Sequence, residues 1–235
     1  MKKMLSLVTL LGILSIVLLP QTSQAYLDPH AYTRQQYSGT ITGGTVTLNT
    51  GQESLSSGWS SSSPDSFITK EMWVVFNGNE WIETGQVKGG VNKNYWNGHY
   101  QAIKRYNSSC NCNQYSEFTI GSAGPTGSHN YKIEYGGKSG DGFDFWNVFV
   151  DNVKVDYWTF PKTTASYMQV GIESNDYPNK FSSGTSMSNA KYRSSGGIWN
   201  TWTSATNADS NGLNWSSYFS YSGGNNTITF SNGGV

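Results

Sequence analysis

Apolar residues in this chain recur at every second position in short runs, and nowhere with the three-to-four-residue spacing of an amphipathic helix. Side chains alternate across a strand but wind around a helix, so this period favours sheet throughout. The clearest run is "FDFWNVFVDNVKVDYWTF", in which Asp151-Asn152 is expected to form a two-residue turn. Pairing Val150 with Val153 would put Trp146, Val148, Val150, Val153, Val155 and Tyr157 on one face. Asn147, Lys154 and Asp156 would then meet solvent on the other. A second hairpin is expected in "FITKEMWVVF", turning at Asn77-Gly78 and returning as "EWIETGQV". With that turn, Glu83 and Trp81 share a face with Met72 and Val74, while Trp73, Val75 and Ile82 take the opposite one. Both faces would be apolar, so the hairpin should be central and covered on both sides.

Further strands are expected at "TVTLNT", "YQAIKRY", "YSEFTIG", "HNYKIEY", "SYMQVGIES" and "NNTITFS", separated by Gly, Pro and Asn clusters. The expected fold class is all-β: a two-sheet antiparallel β-sandwich of jelly-roll or concanavalin-like kind. No internal repeat, charge run or linker divides residues 26–235, which read as one domain. Residues 184–221 are rich in Ser, Asn and Gly, with Trp199, Trp202 and Trp215 interleaved. They read either as a long decorated loop region or as an irregular extra layer.

The head of the chain bears on compartment. Lys2 and Lys3 precede an apolar run from Leu5 to Leu19, Pro20 breaks it, and Ser23-Gln24-Ala25 offers small residues for cleavage. Residues 1–25 therefore read as a secretory signal peptide, and the mature chain as a secreted protein without a membrane span. Loss of Lys2 and Lys3 with the leader leaves 13 basic residues against 15 acidic ones. That balance argues against nucleic acid or an anionic membrane as partner, and the chain is expected to be a monomer. Two cysteines, Cys110 and Cys112, stand in "SSCNCNQ". A local disulfide, free or intermolecular thiols, and a metal site are all open to them. The histidines His30, His99 and His129 show no ligand spacing, so neither metal nor cofactor is expected; His99 and His129 adjoin turn-like residues and are expected to be exposed.

No nucleophile elbow, metalloprotease motif or phosphate loop occurs. What stands out is acidic side chains within apolar strands: Glu83 in "WIETG", Glu117 in "QYSEF" and Glu173 in "VGIES". By alternation, Glu173 shares a face with Tyr167, Gln169 and Gly171, and Glu117 shares one with Tyr115 and Thr119. Carboxyls on the floor of such a groove would be partly dried, and two close together would share a proton.

"EMWVVFNGNEWIETG" resembles the segment of the eqolisin, or glutamic peptidase, family in which a "WVG-x-D" strand turns back into "LQTG". "QYSEF" is similar to that family's aromatic-x-Glu-aromatic strand, and "MQVGIESND" to its "AEWIVE" strand. The resemblance runs over roughly residues 67 to 175. It implies a two-sheet β-sandwich that works in acid, a Glu activating water and a Gln stabilising the tetrahedral intermediate. Carried over by position, Glu173 would be the general base, and Glu83 falls where the family has its Gln. An ionised carboxylate would repel the oxyanion, so Glu83 serves only while protonated. Glu117 matches an accessory glutamate of the substrate groove, and Trp81, Tyr115 and Gln169 join it as expected substrate contacts. A slighter likeness links "W-x-E-x-G" and "G-x-E" strands to exported bacterial proteins.

Three functions follow from the residues: an acid peptidase acting through Glu83 and Glu173, a carbohydrate- or cell-wall-binding sandwich, and a secreted matrix protein. The ligand is accordingly a peptide or a glycan. Trp199, Trp202 and Trp215 are the first candidates for a sugar-stacking platform.

Overall fold

The structure is a computed structural model that describes residues 31–49, 53, 55, 66–124, 127–175, 185–207, 219–224 and 227–232. The signal-peptide reading of residues 1–25, His30 and Trp215 lie outside the described residues. Within them every regular element is a strand and every pairing is antiparallel.

One layer is built from β2 (Phe67–Asn77), β3 (Glu80–Val91), β4 (Asn94–Asn107), β5 (Cys112–Ala123) and β9 (Ala165–Ser174). The first half of β1 (Ala31–Asn49) extends it beside β9, and β12 (Thr206–Asn207) pairs with that half of β1. The second half of β1 passes into the other layer, between β6 (Ser128–Lys138) and β10 (Ser186–Ser194). That layer continues on one side through β7 (Asp144–Val150) and β8 (Val153–Thr159). On the other it continues through β14 (Thr227–Asn232) and β13 (Phe219–Gly224), with β11 (Trp199–Thr201) also on β10. One strand shared by both layers ties the sandwich together.

The core fills the space between the layers. Met72, Val74, Ile82, Ile103, Met168, Val170 and Ile172 from the first meet Val46, Leu48, Ile133, Trp146, Val148 and Phe230 from the second. Burying such side chains contributes about 1.5–3 kcal/mol each before entropy is charged against it. Every β2, β3 and β9 residue of that set lies on one side of its strand, leaving the alternate residues for the outer face.

Both expected hairpins form, and both differ in register from the sequence reading. Asp151 and Asn152 do make the tight turn, with φ of 51° and 65°, and Val150 pairs with Val153. A bulge follows, so Trp146 faces Trp158 and Tyr157 faces Asn147. Tyr157 is therefore on the outer side, 53% exposed, rather than beside Trp146. In the other hairpin the turn is Gly78-Asn79, and a bulge near Phe76 pairs Val75 with Trp81 and Trp73 with Glu83. Glu83 and Trp81 thus share a face with Trp73 and Val75, while Met72 and Val74 join Ile82 in the core. One extra residue reverses which side meets the core.

Among their described residues, 184–221 hold β10, β11, β12 and part of β13, which are strands of the two layers themselves and neither one long loop nor an extra layer. Trp202 is fully buried, its indole N–H donating to the Ser204 carbonyl, and is no stacking platform. Cys110 and Cys112 form a disulfide at the β4–β5 turn. His99 and His129 are not turn residues in solvent. They lie in β4 and β6, half-buried and edge-on at 4.7 Å, with His99 bonded to the Tyr131 hydroxyl and His129 to Asp151.

Candidate active site

The outer face of the first layer carries the acidic residues in rows set by strand pairing. One row runs Gln36, Gln169, Trp73, Glu83, Ala102 and Glu117 across β1, β9, β2, β3, β4 and β5. The next holds Tyr167, Val75, Trp81, Lys104 and Tyr115. On the other side lie Arg34, Gly171, Glu71, Gly85 and Tyr100, then Glu173 with Thr69 and Val87. Arg34, Trp73, Val75, Tyr167 and Lys104 from these rows, with the acids at 83, 117 and 173, line an open groove of about 460 Å³. Glu83, Glu117, Glu173, Trp81, Tyr115 and Gln169, the six expected site residues, all line it. A second apolar cluster of Val87, Val91, Tyr100 and Ala102, with Phe67 and Trp96 against it, stands on this same face.

Glu83 is 3% exposed and held at both oxygens. The Trp81 indole N–H donates to Oε2 at 2.7 Å and the Tyr115 hydroxyl to Oε1 at 2.9 Å. Burial, then the nearby charge of Glu173, pushes its pKa up to about 8, against the pull of those two bonds. It therefore carries its proton at any acidic pH. Tyr115 keeps a half-exposed ring, while burial and the carboxylates around its hydroxyl push its own ionisation well up, so it remains a donor.

Glu173, 7% exposed, enters from β9. Between it and Glu83 stands a carboxyl that the sequence reading passed over. Glu71 on β2 is fully buried, on the groove side of the sheet, and diagonal to both. Burial, then the charges of Glu83 and Glu173, push Glu71 well above the usual carboxylate range. The sequence did hold a signal: Glu71 is two residues from Trp73 and so on its face. Assigning Trp73 to the face opposite Glu83 separated them.

The remaining expected contacts are anchored. Gln169 accepts from Arg34 Nη1 at 3.2 Å and donates to Gln36 at 2.8 Å. Glu117 accepts the Asn92 backbone N–H at 2.9 Å, securing the β3–β4 turn, where Asn92 and Lys93 have φ of 51° and 64°. That turn delivers Lys93 to the groove. Two more cations unseen in the sequence reading flank the acids: Arg34 lies 5.6 Å from the Trp73 ring and Lys104 4.5 Å from the Trp81 ring. Among the described residues, no group of three or more His, Cys, Asp or Glu side chains is arranged to hold a metal ion.

The fold is an eqolisin-like β-sandwich, as its likeness to two solved structures shows. The chain is similar to scytalido-glutamic peptidase, solved with a transition state analog inhibitor, with a TM-score of 0.58 and 12% identity. The match covers 86% of this chain and 98% of that one. It is also similar to SCP-B, a member of the eqolisin family of peptidases solved with the tripeptide Ala-Ile-His, with a TM-score of 0.51 and 12% identity over 86% and 97% of the two chains. At such identity the likeness establishes the fold. No family model matches the chain, and no curated protein matches it.

Proposed function

We propose that the groove is the active site of a secreted, acid-acting hydrolase of glutamic-peptidase type that cuts peptide bonds. One observation carries this reading: Glu83 and Glu173 line the same open groove, close enough for the charge of one to raise the pKa of the other. Ionised Glu173 takes a proton from water as the water oxygen attacks the carbonyl carbon. Protonated Glu83 donates its O–H to the oxyanion that forms, the role an amide would fill at that position. Collapse of the intermediate breaks the C–N bond, and Glu173 returns the proton to the leaving amine. Bonds from Trp81 and Tyr115 hold the Glu83 carboxyl still, so little reorganisation is needed when charge appears.

The test is digestion of a denatured protein substrate by the purified mature chain at about pH 3 to 5, beside Glu83→Gln and Glu173→Gln. Glu173→Gln should lose at least about a hundredfold in kcat, whereas Glu83→Gln should keep most activity. Absence of hydrolysis by all three at every pH overturns the reading. A second reading, non-catalytic glycan binding, is favoured by the rings of Trp81, Tyr115 and Tyr167 beside Gln169 in the same groove. It predicts calorimetric binding of a soluble cell-wall oligosaccharide that persists in Glu173→Gln.

A further inference from the structure

Glu71 has a peculiar setting for an acid. Its strand neighbours on both sides are glycines, Gly171 on β9 and Gly85 on β3. A Cβ at Gly85 would lie 2.0 Å from the Lys70 carbonyl oxygen and 2.6 Å from the Glu71 Cα, so no larger residue fits there. Glycine on both sides leaves no neighbouring side chain in the row between Glu71 and the strands that carry Glu83 and Glu173. The Thr69 hydroxyl donates to Glu71 Oε1 at 2.5 Å, while Oε2 has no donor within reach. Glu173 stands diagonal to Glu71 on the adjoining strand β9, and its charge acts on the Glu71 carboxyl. Two carboxyl groups so placed can hydrogen-bond to each other only when one of them holds a proton.

We propose that Glu71 is the positioning residue of this site: it carries that proton and donates it as a hydrogen bond to the Glu173 carboxylate, holding the remaining oxygen of Glu173 toward the groove. The inference rests on the hydrolase reading for the role of Glu173, but not for the bond itself. Every group packed around Glu71 agrees with the assignment. Glu83 faces it from β3, Glu173 from β9, and the Tyr115 hydroxyl approaches from β5, so an ionised Glu71 would add a charge to a cluster of acids with no cation among them. Arg34 on β1 is the nearby cation, and it is occupied with Gln169 and Trp73. A neutral acid is the species that a fully buried carboxyl can sustain there. Burial also separates Glu71 from Glu173 in kind: the former is sealed at 0% exposure, the latter reaches the groove.

Two substitutions separate positioning from mere packing. Glu71→Gln keeps shape and an N–H donor, and should retain kcat within about threefold while removing one ionisation from the alkaline limb of the pH profile. Glu71→Met keeps volume without a donor, and should lower kcat at least about tenfold with KM little changed. Equal loss in both variants, or none in Glu71→Met, overturns the proposal. Infrared spectroscopy tests the bond without any turnover. In the Glu83→Gln background, a protonated-carboxyl band should persist at about pH 6, shift when Glu173→Gln is added, and vanish when Glu71→Gln is added. A persisting band in an inactive protein would uphold Glu71 and sink the hydrolase reading; no band would sink the Glu71 proposal whatever the activity.

Discussion

Under the proposed hydrolysis, an acid at position 83 stands in for an amide only while it holds its proton, so its neighbours would set the pH range of activity. Trp81 and Tyr115 both donate to it, and both bonds favour the ionised form over the neutral one. Removing either donor should therefore raise the Glu83 pKa further. Tyr115→Phe is expected to move the alkaline limit of activity up by about half a unit to one unit, at some cost in kcat. A downward move in the pH–rate profile would contradict the hydrogen-bond assignment. Glu83 and Glu173 were legible in the sequence because a charged residue in an apolar run is conspicuous. Glu71 was not, since its significance lies in neighbours supplied by β3 and β9.

Elements brought these residues together through register. The β2–β3 bulge put Trp73 and Glu83 opposite each other, and close approach of the two strands at Gly85 admitted Glu71. Gly85→Ala should force the strands apart and destabilise the fold by about 2–4 kcal/mol in urea unfolding. Gly78→Ala makes a fair control, because an added Cβ there meets nothing within 4 Å; its change should stay within about 0.5 kcal/mol. Equal effects would mean that the tight contact at Gly85 is absent in solution. Period and turn residues predicted both hairpins but not their bulges, because an alternating pattern is satisfied by either parity until the other sheet selects one.

For the whole molecule, the buried acids link folding to pH. Glu71 and Glu83 are both raised in the native state, so each favours a protonated fold. Their contribution is complete below about pH 4.5 and is lost as pH climbs, for Glu83 toward about 8. At about 1.4 kcal/mol per unit, the Glu83 displacement alone amounts to a few kcal/mol. His99 works in the opposite sense. Burial, then the adjacent His129, holds it below the ordinary histidine value against the pull of Asp151, so stability falls as pH drops below about 6.5. The melting temperature should accordingly be highest in mild acid and several degrees lower at about pH 8.5. Glu71→Gln combined with Glu83→Gln should flatten the alkaline side, and an unchanged decline in calorimetry would show that other groups produce it.

Alternation of side chains across a strand is local, and it alone determined the all-β class, the turn at Asp151-Asn152 and the acidic character of one sheet face. Which acids meet is a long-range matter. Glu71, Glu83 and Glu173 come from three strands spanning about a hundred residues, and their convergence depends on bulges, on two facing glycines and on β1 joining both layers. The same holds for Trp202, whose polar flanks read as surface until β1 and β10 closed over it. Proton sharing follows from that convergence, because a carboxyl's charge is costly only where other strands have removed the water around it.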